Sequence, residues 1–269
     1  MSQHSVRYHN RVARQYDEIY DDPYWRFHDD VTWRCIKPHL PRDLAAKVAD
    51  HGCGTGKWGL KLLKSGFATT FTDHAPAMLG VLREKLDAFG PKAKRAEVHE
   101  ADIVDLVPVA NATFALQLAM GDPLSICTDP QRAANALYRA AAPGGVVIAT
   151  ADAKLAATEH FAGRKNPAEL IDFLQTGKTL WLTQDKREQF EMTMFTPGEL
   201  CRLFTRAGFQ VLEVRGKVIL PVRKNPLWLE DPDDFKRLLK LELQLGDDPT
   251  TAAAASHLQV IARKPPTAG

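Results

Sequence analysis

The stretch DHGCGTGKWG, residues 50–59, places four glycines between a short apolar run and an amphipathic one. In one register the glycines alternate at Gly52, Gly54 and Gly56, and in the other they match G-x-G-x-x-G, which ends at Gly59. Glycine at a turn between a strand and a helix lets a ligand approach the backbone closely. The unpaired N–H groups at the start of the helix also attract a negative group. The stretch therefore predicts a ligand-binding turn, and its two registers favour different ligands.

The G-x-G-x-x-G register is the weaker of the two. That pattern normally starts directly after a strand, whereas here its first glycine follows the four residues from Asp50 to Cys53. We therefore favour the register from Gly52 and expect Gly59 to serve helix packing.

The chain around the turn alternates strand-like and helix-like segments, which is the pattern of βαβ units around a parallel sheet. The predicted strands cover residues 48–51, 69–72, 95–101, 113–119 and 146–150. The predicted helices cover residues 57–63, the segment that opens at Pro76, and the segment from Asp129 to the Pro-Gly-Gly at 143–145. Residues 102–111 show only weak helical signal, so the crossover between the third and fourth strands is the least defined.

The second half of the chain breaks this rhythm and then resumes it. Residues 153–194 contain one short predicted helix, at 168–174, and such a stretch in a compact domain is usually a lid or a specificity insertion. Thr196-Pro197-Gly198-Glu199 forms a capping box that opens the next helix. The remaining segments are a long strand at 209–220 with an interruption at Gly216, a helix at 238–245, a last strand at 257–263 and a tail at 265–269 that we expect to be frayed.

Three carboxylates follow the first three predicted strands. Asp50, Asp73 and Asp102 each stand where a strand ends, and the carboxyl ends of parallel strands meet at the edge where open α/β sheets bind ligands. Asp73 is suitably spaced to accept hydrogen bonds from a ribose diol, and Asp102 is placed for a further contact such as an adenine amino group. The carboxylates therefore say more about the ligand than the glycines do.

With these residues the chain resembles the class I S-adenosylmethionine-dependent methyltransferases. Within that class, residues 120–127 (MGDPLSIC) and residues 13–25 (ARQYDEIYDDPYW) resemble a small-molecule subgroup. The likeness rests on Val48 to Gly56, on Asp73 with Ala75-Pro76-Ala77-Met78-Leu79, on Ala101-Asp102-Ile103 and on Pro143-Gly144-Gly145. It implies a Rossmann-like, doubly wound α/β fold with a mostly parallel seven-stranded sheet and an antiparallel last strand. It also implies S-adenosylmethionine as cofactor. One departure is that Phe114-Ala115 stands where the family usually has Phe-Asp, which weakens the alignment of the fourth strand only.

The resemblance also implies residue roles. Gly52, Gly54 and Gly56 would pass under the methionine part, Asp73 would bind the ribose, and Asp102 with the Ile103 N–H would recognise adenine. The Met120 carbonyl would meet the amino group, and Tyr16 would close over the methionine end. The full predicted set of cofactor contacts is Tyr16, Asp50, Gly52, Cys53, Gly54, Gly56, Asp73, His74, Met78, Ala101, Asp102, Ile103 and Met120. Residues 1–45 would form a helical cap over the cofactor, residues 46–264 the catalytic domain, and residues 153–194 an acceptor lid.

Catalytic candidates are few. The weak candidates are Tyr16, His51 and Asp122. The His51 imidazole could act as a general base because it titrates near neutrality, but nothing in the sequence supplies a hydrogen-bond partner for it. For His51 and His74 the more ordinary interpretation is a loop histidine, and for Asp122 a turn residue before Pro123. The aromatic residues at 16, 20, 24 and 25 favour either a packed amphipathic helix or a lid, and Phe173 and Trp181 either line an acceptor pocket or anchor the insertion.

Bulk composition narrows the function classes. The net charge of +2 from 35 basic and 33 acidic residues gives no argument for a nucleic-acid or membrane partner. No signal-peptide block or membrane-length apolar run occurs, so a cytoplasmic protein is expected. Four scattered cysteines favour reduced thiols, and no metal site is predicted. The oligomeric state is left open.

Four functions remain open at this level. The favoured one is methyl transfer to a small-molecule acceptor. The second is a methyltransferase acting on RNA or protein, for which the basic residues Arg164, Lys165, Lys178, Lys186 and Arg187 are the only hint. The third is a non-enzymatic S-adenosylmethionine-binding protein, and the fourth a dinucleotide-dependent enzyme.

Overall fold

The glycine turn follows an interior strand of a seven-stranded sheet. The computed structural model describes residues 2–107, 109–163, 165–181 and 189–267. The sheet contains β1 (Lys47–His51), β2 (Ala68–Asp73), β3 (Ala96–Glu100), β4 (Phe114–Ala119), β5 (Ala141–Asp152), β8 (Gln210–Lys217) and β9 (His257–Arg263). A separate pair is formed by β6 (Lys178–Leu180) and β7 (Glu191–Thr193).

The strand order is β3-β2-β1-β4-β5-β9-β8. Strands β1 to β5 pair in parallel, whereas β9, the last strand of the chain, is antiparallel to both of its neighbours. The predicted mostly parallel seven-stranded sheet with an antiparallel last strand is thereby confirmed. The order reverses between β1 and β4, which opens a crevice at the carboxyl ends of these strands.

Helices cover both faces of the sheet, as side-chain alternation along the strands requires. Val48 packs in a cluster with residues of α3 (Pro23–Ile36) and α4 (Lys57–Lys64), and Ala49 packs with α7 (Pro130–Ala140) and α9 (Pro197–Arg206). The other helices are α1 (Gln3–Val12), α2 (Tyr16–Ile19), α5 (Pro76–Asp87), α6 (Pro123–Ile126), α8 (Ala168–Thr176) and α10 (Pro232–Gly246).

Local capping signals start these helices where the sequence predicts. The Asp129 side chain accepts from the Arg132 N–H at the start of α7, and Thr196 and Glu199 form a reciprocal capping box at α9. Proline occupies a first-turn position in α5, α7 and α9, where its missing N–H costs nothing because that group has no helical partner.

The N-terminal helices and the insertion share one hydrophobic cluster. It joins Tyr8, Val12 and Ala13 at the N-terminus to Met78 on α5, and it contains the insertion residues Phe161, Phe173, Phe190, Met192 and Met194. The insertion also contains a 3₁₀ segment at Ala156–Phe161. Segment 2–20 and the described parts of the insertion therefore pack together, and we call this combined unit the N-terminal lid, after the cap and the lid that the sequence predicts.

The structure differs from expectation at three elements. Strand β5 begins at Ala141 and carries Pro143-Gly144-Gly145 within it, with a register shift against β4 where Gly144 has φ +76°. The predicted interruption of β8 at Gly216 is wrong, because Gly216 pairs with Leu258 and the irregularity lies between Val211 and Glu213. A Cβ on Gly216 would lie 2.6 Å from the Ala255 Cβ, so this glycine allows the close approach of the neighbouring segment.

The crossover between β3 and β4 contains no helix among its described residues. Leu106 and Ala112 take positive φ angles, and the Leu106 N–H donates to the Asp102 carbonyl in a tight turn. All four cysteines are free thiols, and three of them are buried. Within the described ranges, no helix has the length and apolarity that crossing a bilayer requires.

Candidate active site

The glycine turn has a left-handed backbone conformation that favours glycine. Gly52, Gly54 and Gly56 have φ angles of +65°, +53° and +90°. A Cβ on Gly52 would lie 2.9 Å from the Pro123 Cβ, whereas one on Gly54 would approach only the Tyr16 ring, at 3.9 Å. Gly52 and Gly54 border a cavity of about 280 Å³. They therefore form an open cradle that a ligand can approach at backbone distance.

Gly59 lies inside α4 against β2, away from this cradle. A Cβ there would overlap the Phe71 ring. Its N–H donates to Asp50 Oδ2 at 2.7 Å, and the described chain offers no partner for Asp50 Oδ1. Burial raises the pKa of the Asp50 carboxyl to about 7. The structure thus places Asp50 beneath the turn, where it holds the first turn of α4, and not among the residues that line the cavity.

Asp73 organises the opposite side of the cradle. Its Oδ2 accepts from the Gly54 N–H at 2.7 Å and its Oδ1 from the Ala75 N–H at 2.8 Å. Burial raises the pKa of this carboxyl, and the two hydrogen bonds oppose that change. Asp73 also borders the cavity, and carboxylate oxygens have further lone pairs to offer a ligand.

The predicted adenine contacts lie next to Asp73 but outside the cavity. The Ala101 N–H donates to the Asp73 carbonyl, Asp102 Oδ2 lies 3.4 Å from His74 Nδ1, and Ile103 is buried. Met78 packs in the lid cluster, and Gly56 packs against Leu82. From the predicted cofactor contacts, the structure brings to the cavity Tyr16, Gly52, Cys53, Gly54, Asp73 and Met120, and from the catalytic candidates it also brings Asp122.

His51 is a core residue. Its Nδ1 lies 2.9 Å from Thr72 Oγ1 and its Nε2 3.1 Å from Gln117 Oε1. Burial lowers the pKa of this imidazole to about 4. Both ring nitrogens are therefore engaged beneath the turn, and the structure does not place them for proton transfer to a ligand.

Aromatic rings from the lid and from the start of α3 form the roof of the cavity. The Tyr16 and Tyr20 ring centroids are 4.8 Å apart, as are those of Tyr20 and Trp25. On the other side the Trp181 ring stacks on Phe190 at 5.2 Å. Burial raises the pKa of the Tyr16 phenol well above its ordinary value, so this hydroxyl stays protonated and neutral.

Polar contacts hold the lid over the glycine turn. Thr55 Oγ1 donates to Asp17 Oδ1 at 2.6 Å, and Lys85 Nζ pairs with the same carboxylate and donates to the Thr55 carbonyl. Lys57 Nζ donates to Asp29 Oδ2 at 2.7 Å. We call the Asp17, Thr55 and Lys85 contacts the lid latch. Sequence reasoning missed the latch because its members are 30 to 70 residues apart and match no local pattern.

A second set of polar residues borders the cavity at the far end of the sheet. Asp152 on β5, His257 on β9 and Lys217 on β8 are register partners across three adjacent strands. His257 Nδ1 lies 2.9 Å from Asp122 Oδ2 and 3.8 Å from Asp152 Oδ1. Sequence reasoning found Asp122 alone. The signal for the others was a polar residue at each strand end, and it could be read only once the antiparallel insertion of β9 was known.

The charges in this set influence one another. Burial and the charge of Asp122 raise the pKa of the Asp152 carboxyl to about 7. Burial opposes ionisation of Asp122 as well, but the His257 charge holds the pKa of that carboxyl well below its usual range. Burial and Lys217 lower the pKa of the His28 imidazole to about 3. Asp122 is therefore the ionised carboxylate at neutral pH, and His28 is uncharged.

Residues 48–145 match the family model described as "Methyltransferase domain". No curated protein matches the chain by sequence.

Solved structures share the fold at low sequence identity. A putative methyltransferase of Haloferax volcanii, in complex with the methyltransferase activator Trm112, is 18% identical, with 96% of this chain and 97% of that chain covered and a TM-score of 0.62. An S-adenosylmethionine-dependent methyltransferase of Mesorhizobium loti is 18% identical, covers 87% and 98%, and has a TM-score of 0.59. A protein described as the [4+2]-cyclase SpnF is 19% identical, covers 90% and 80%, and has a TM-score of 0.56.

The cyclase shows that this fold alone does not specify a reaction, so the assignment depends on the family match together with the glycine turn and its acidic partner. The match of residues 48–145 to the methyltransferase-domain model, together with the seven-stranded fold, indicates that the chain is a class I S-adenosylmethionine-dependent methyltransferase.

Proposed function

We propose that the enzyme methylates a small molecule, at an oxygen, nitrogen or sulfur atom, inside the cavity between the glycine turn and the N-terminal lid. The observation that carries this proposal is the cavity itself. Its volume of about 280 Å³ lies just below the usual range for small-molecule sites, about 300 to 1,000 Å³. Aromatic rings and a few charged groups line it, which is the usual composition of such sites.

The cradle residues fit S-adenosylmethionine. Gly52 and Gly54 open onto the cavity without a side chain, and Asp73 offers acceptor lone pairs beside them, as a ribose diol requires. The Asp102 side chain and the Ile103 N–H remain the proposed adenine contacts, beyond Asp73. The Tyr16 ring next to Gly54 would cover the methionine end. When bound, S-adenosylmethionine supplies an electrophilic methyl group and a neutral leaving group.

The protein's own task is then to position the acceptor and to exclude water. The latch and the aromatic roof hold the lid across the opening, so an acceptor bound beneath it must be small. In-line displacement needs the nucleophilic atom behind the methyl group, and the product is S-adenosylhomocysteine. No metal ion is required for this step, because the leaving group is already activated.

Methylation of RNA or protein remains an alternative without a structural observation in its favour. Of its five basic residues, Lys165 and Lys178 are exposed and described, whereas Arg164, Lys186 and Arg187 lie outside the described residues. A nucleic-acid partner is therefore not proposed, and the partner we propose is a small-molecule acceptor.

The test is a methylation screen in cell extract. The extract is separated by ultrafiltration into a small-molecule filtrate and a macromolecular fraction, and each is incubated with the enzyme and S-adenosylmethionine bearing a labelled methyl group. We expect label in compounds of the filtrate, and in none when the enzyme is omitted. Label confined to RNA or protein would overturn the small-molecule proposal, and a folded protein that binds no S-adenosylmethionine in calorimetry would overturn methyl transfer altogether.

A further inference from the structure

The register of the sheet brings three ionisable side chains to one place. Asp152, His257 and Lys217 are direct partners across β5, β9 and β8, and partners of this kind project from the same face of a sheet. All three border the cavity, together with Asp122, which stands before α6. The antiparallel direction of β9 is essential, because it brings the first residue of β9 to the edge where β5 ends.

The two nitrogens of the His257 ring have different surroundings. Nδ1 lies within ion-pair distance of Asp122 and Asp152, although neither contact is an aligned hydrogen bond. Nε2 is buried and has no hydrogen-bond partner in the described part of the chain. A buried ring nitrogen without a hydrogen-bond partner lowers the stability of the fold unless a ligand supplies the missing hydrogen bond. The free nitrogen of a residue that borders the cavity is therefore a natural contact for an acceptor.

Resting on the proposed function, we propose that His257 is the general base that accepts the proton of the acceptor's nucleophilic group. The acceptor is then of the X–H class, such as a phenol, another hydroxyl or an ammonium group. The X atom forms a bond to the methyl carbon and the carbon–sulfur bond breaks, with its electron pair left on sulfur. The proton of X–H passes to His257 Nε2 and is later released to solvent.

Asp122 and Asp152 are positioning residues for this step. A carboxylate beside Nδ1 favours the tautomer with its proton on Nδ1, which leaves Nε2 unprotonated as a base. Burial disfavours the imidazolium, but the charges of Asp122 and Asp152 outweigh that effect and raise the pKa of His257. The other titratable or charged groups that face this region are Lys217, His28, Asp29, Tyr20, Tyr24 and Arg223.

Neighbouring groups are less suitable as the base. His28 Nε2 lies 3.1 Å from Lys217 Nζ, which also donates to Thr32 Oγ1, so this histidine is held by the lysine. A metal ion is the other ligand to consider here, because one side-chain ligand atom from each of Asp122, Asp152 and His257 lies within 4.8 Å of the others. The positive charge of the buried Lys217 already lowers the pKa of both carboxyl groups. This charge disfavours the binding of a metal cation among them. The second test below therefore includes an EDTA-treated sample, which shows whether the activity depends on a bound metal ion.

The first test needs no acceptor. Histidine-labelled enzyme saturated with S-adenosylhomocysteine is titrated by ¹⁵N NMR, with the His257 resonances assigned through bonds. We expect Nδ1–H and an unprotonated Nε2 above the pKa of His257. In the Asp122→Asn/Asp152→Asn variant, only burial and Lys217 remain and both lower the pKa, so it should fall below the ordinary 6.5. A proton on Nε2 of the neutral ring, or a pKa unchanged in the variant, would overturn the proposal.

The second test separates this proposal from the proposed function. The His257→Gln variant should bind S-adenosylmethionine as the wild type does, yet its kcat for the acceptors found in the filtrate should fall about 10²- to 10⁴-fold. The acidic limb of its pH profile should disappear, EDTA should not change the wild-type rate, and the surface variant His99→Gln should match the wild type. Equal rates for His257→Gln and wild type would overturn the general base but leave methyl transfer standing. Failure of the wild type to bind the cofactor would overturn methyl transfer instead.

Discussion

At the scale of single residues, Asp73 connects the fold to the cofactor. Its two oxygens accept from the Gly54 and Ala75 N–H groups, and it borders the cavity. We predict that Asp73→Ala weakens S-adenosylmethionine binding by about 2 kcal/mol, as loss of charge-assisted hydrogen bonds does. Calorimetry measures this change, with the exposed Asp87→Ala as control and thermal melts to show that the variant is folded. An unchanged affinity would remove Asp73 from the site.

Gly59 and Gly80 offer a second test at this scale, because both are helical glycines but only Gly59 is closely packed. A Cβ at Gly59 would overlap the Phe71 ring, whereas one at Gly80 would meet nothing within 4 Å. Gly59→Ala should lower the free energy of unfolding by about 1 to 3 kcal/mol through overpacking. Gly80→Ala in α5 should raise it by about 0.5 to 1 kcal/mol, since alanine favours helix. Urea unfolding of both variants checks the pair, and a stable Gly59→Ala would contradict the packing role.

At the scale of elements, the lid latch joins α2 to the glycine turn and to α5. Asp17→Asn removes the charge that Lys85 pairs with and weakens the acceptor of Thr55. Because partly exposed ion pairs contribute about 1 kcal/mol or less, we expect little change in global stability. Hydrogen exchange in residues 2–20 should instead become faster, and cofactor should dissociate several-fold faster. The adjacent exposed Glu18→Gln is the matched control, and equal exchange in both variants would show that the latch does not hold the lid.

Element prediction from sequence succeeded where capping and periodicity are local. The helices at Pro76, Pro130 and Pro197 begin where a proline or capping residue predicts, because those signals act within one turn. The interruption expected at Gly216 failed for the complementary reason. That glycine is required by the close packing of residues 252–255 against it, and no local sequence pattern encodes such a contact.

At the scale of the whole molecule, buried carboxyls make stability depend on pH. The pKa of Asp50 is raised by burial from 3.8 in a free chain to about 7, so between these values the folded state binds more protons than the unfolded state. Its contribution to stability therefore falls as pH rises through that window. Relative to Asp50→Asn, the wild type should lose stability between pH 5 and pH 8. Urea unfolding at the two pH values measures this, and a difference independent of pH would show that Asp50 is ionised throughout.

The sequence by itself determined the parts of this protein that short-range physics specifies. Positive φ angles require the glycines of the turn, and alternating apolar runs require strands whose ends carry Asp50, Asp73 and Asp102. The family resemblance and the cofactor follow from these residues in that order. Only the tertiary structure decided which of them share a cavity, and it placed Asp50 and His51 beneath the turn.

The tertiary structure also decided the far side of the site. Asp152, Lys217 and His257 are separated by 40 to 105 residues and meet because β9 enters the sheet antiparallel between β5 and β8. Strand order and direction are set by burial summed over the whole sheet, which no local pattern encodes. For the same reason the sequence predicted the N-terminal cap and the insertion separately, and only the tertiary structure joined them in one hydrophobic cluster.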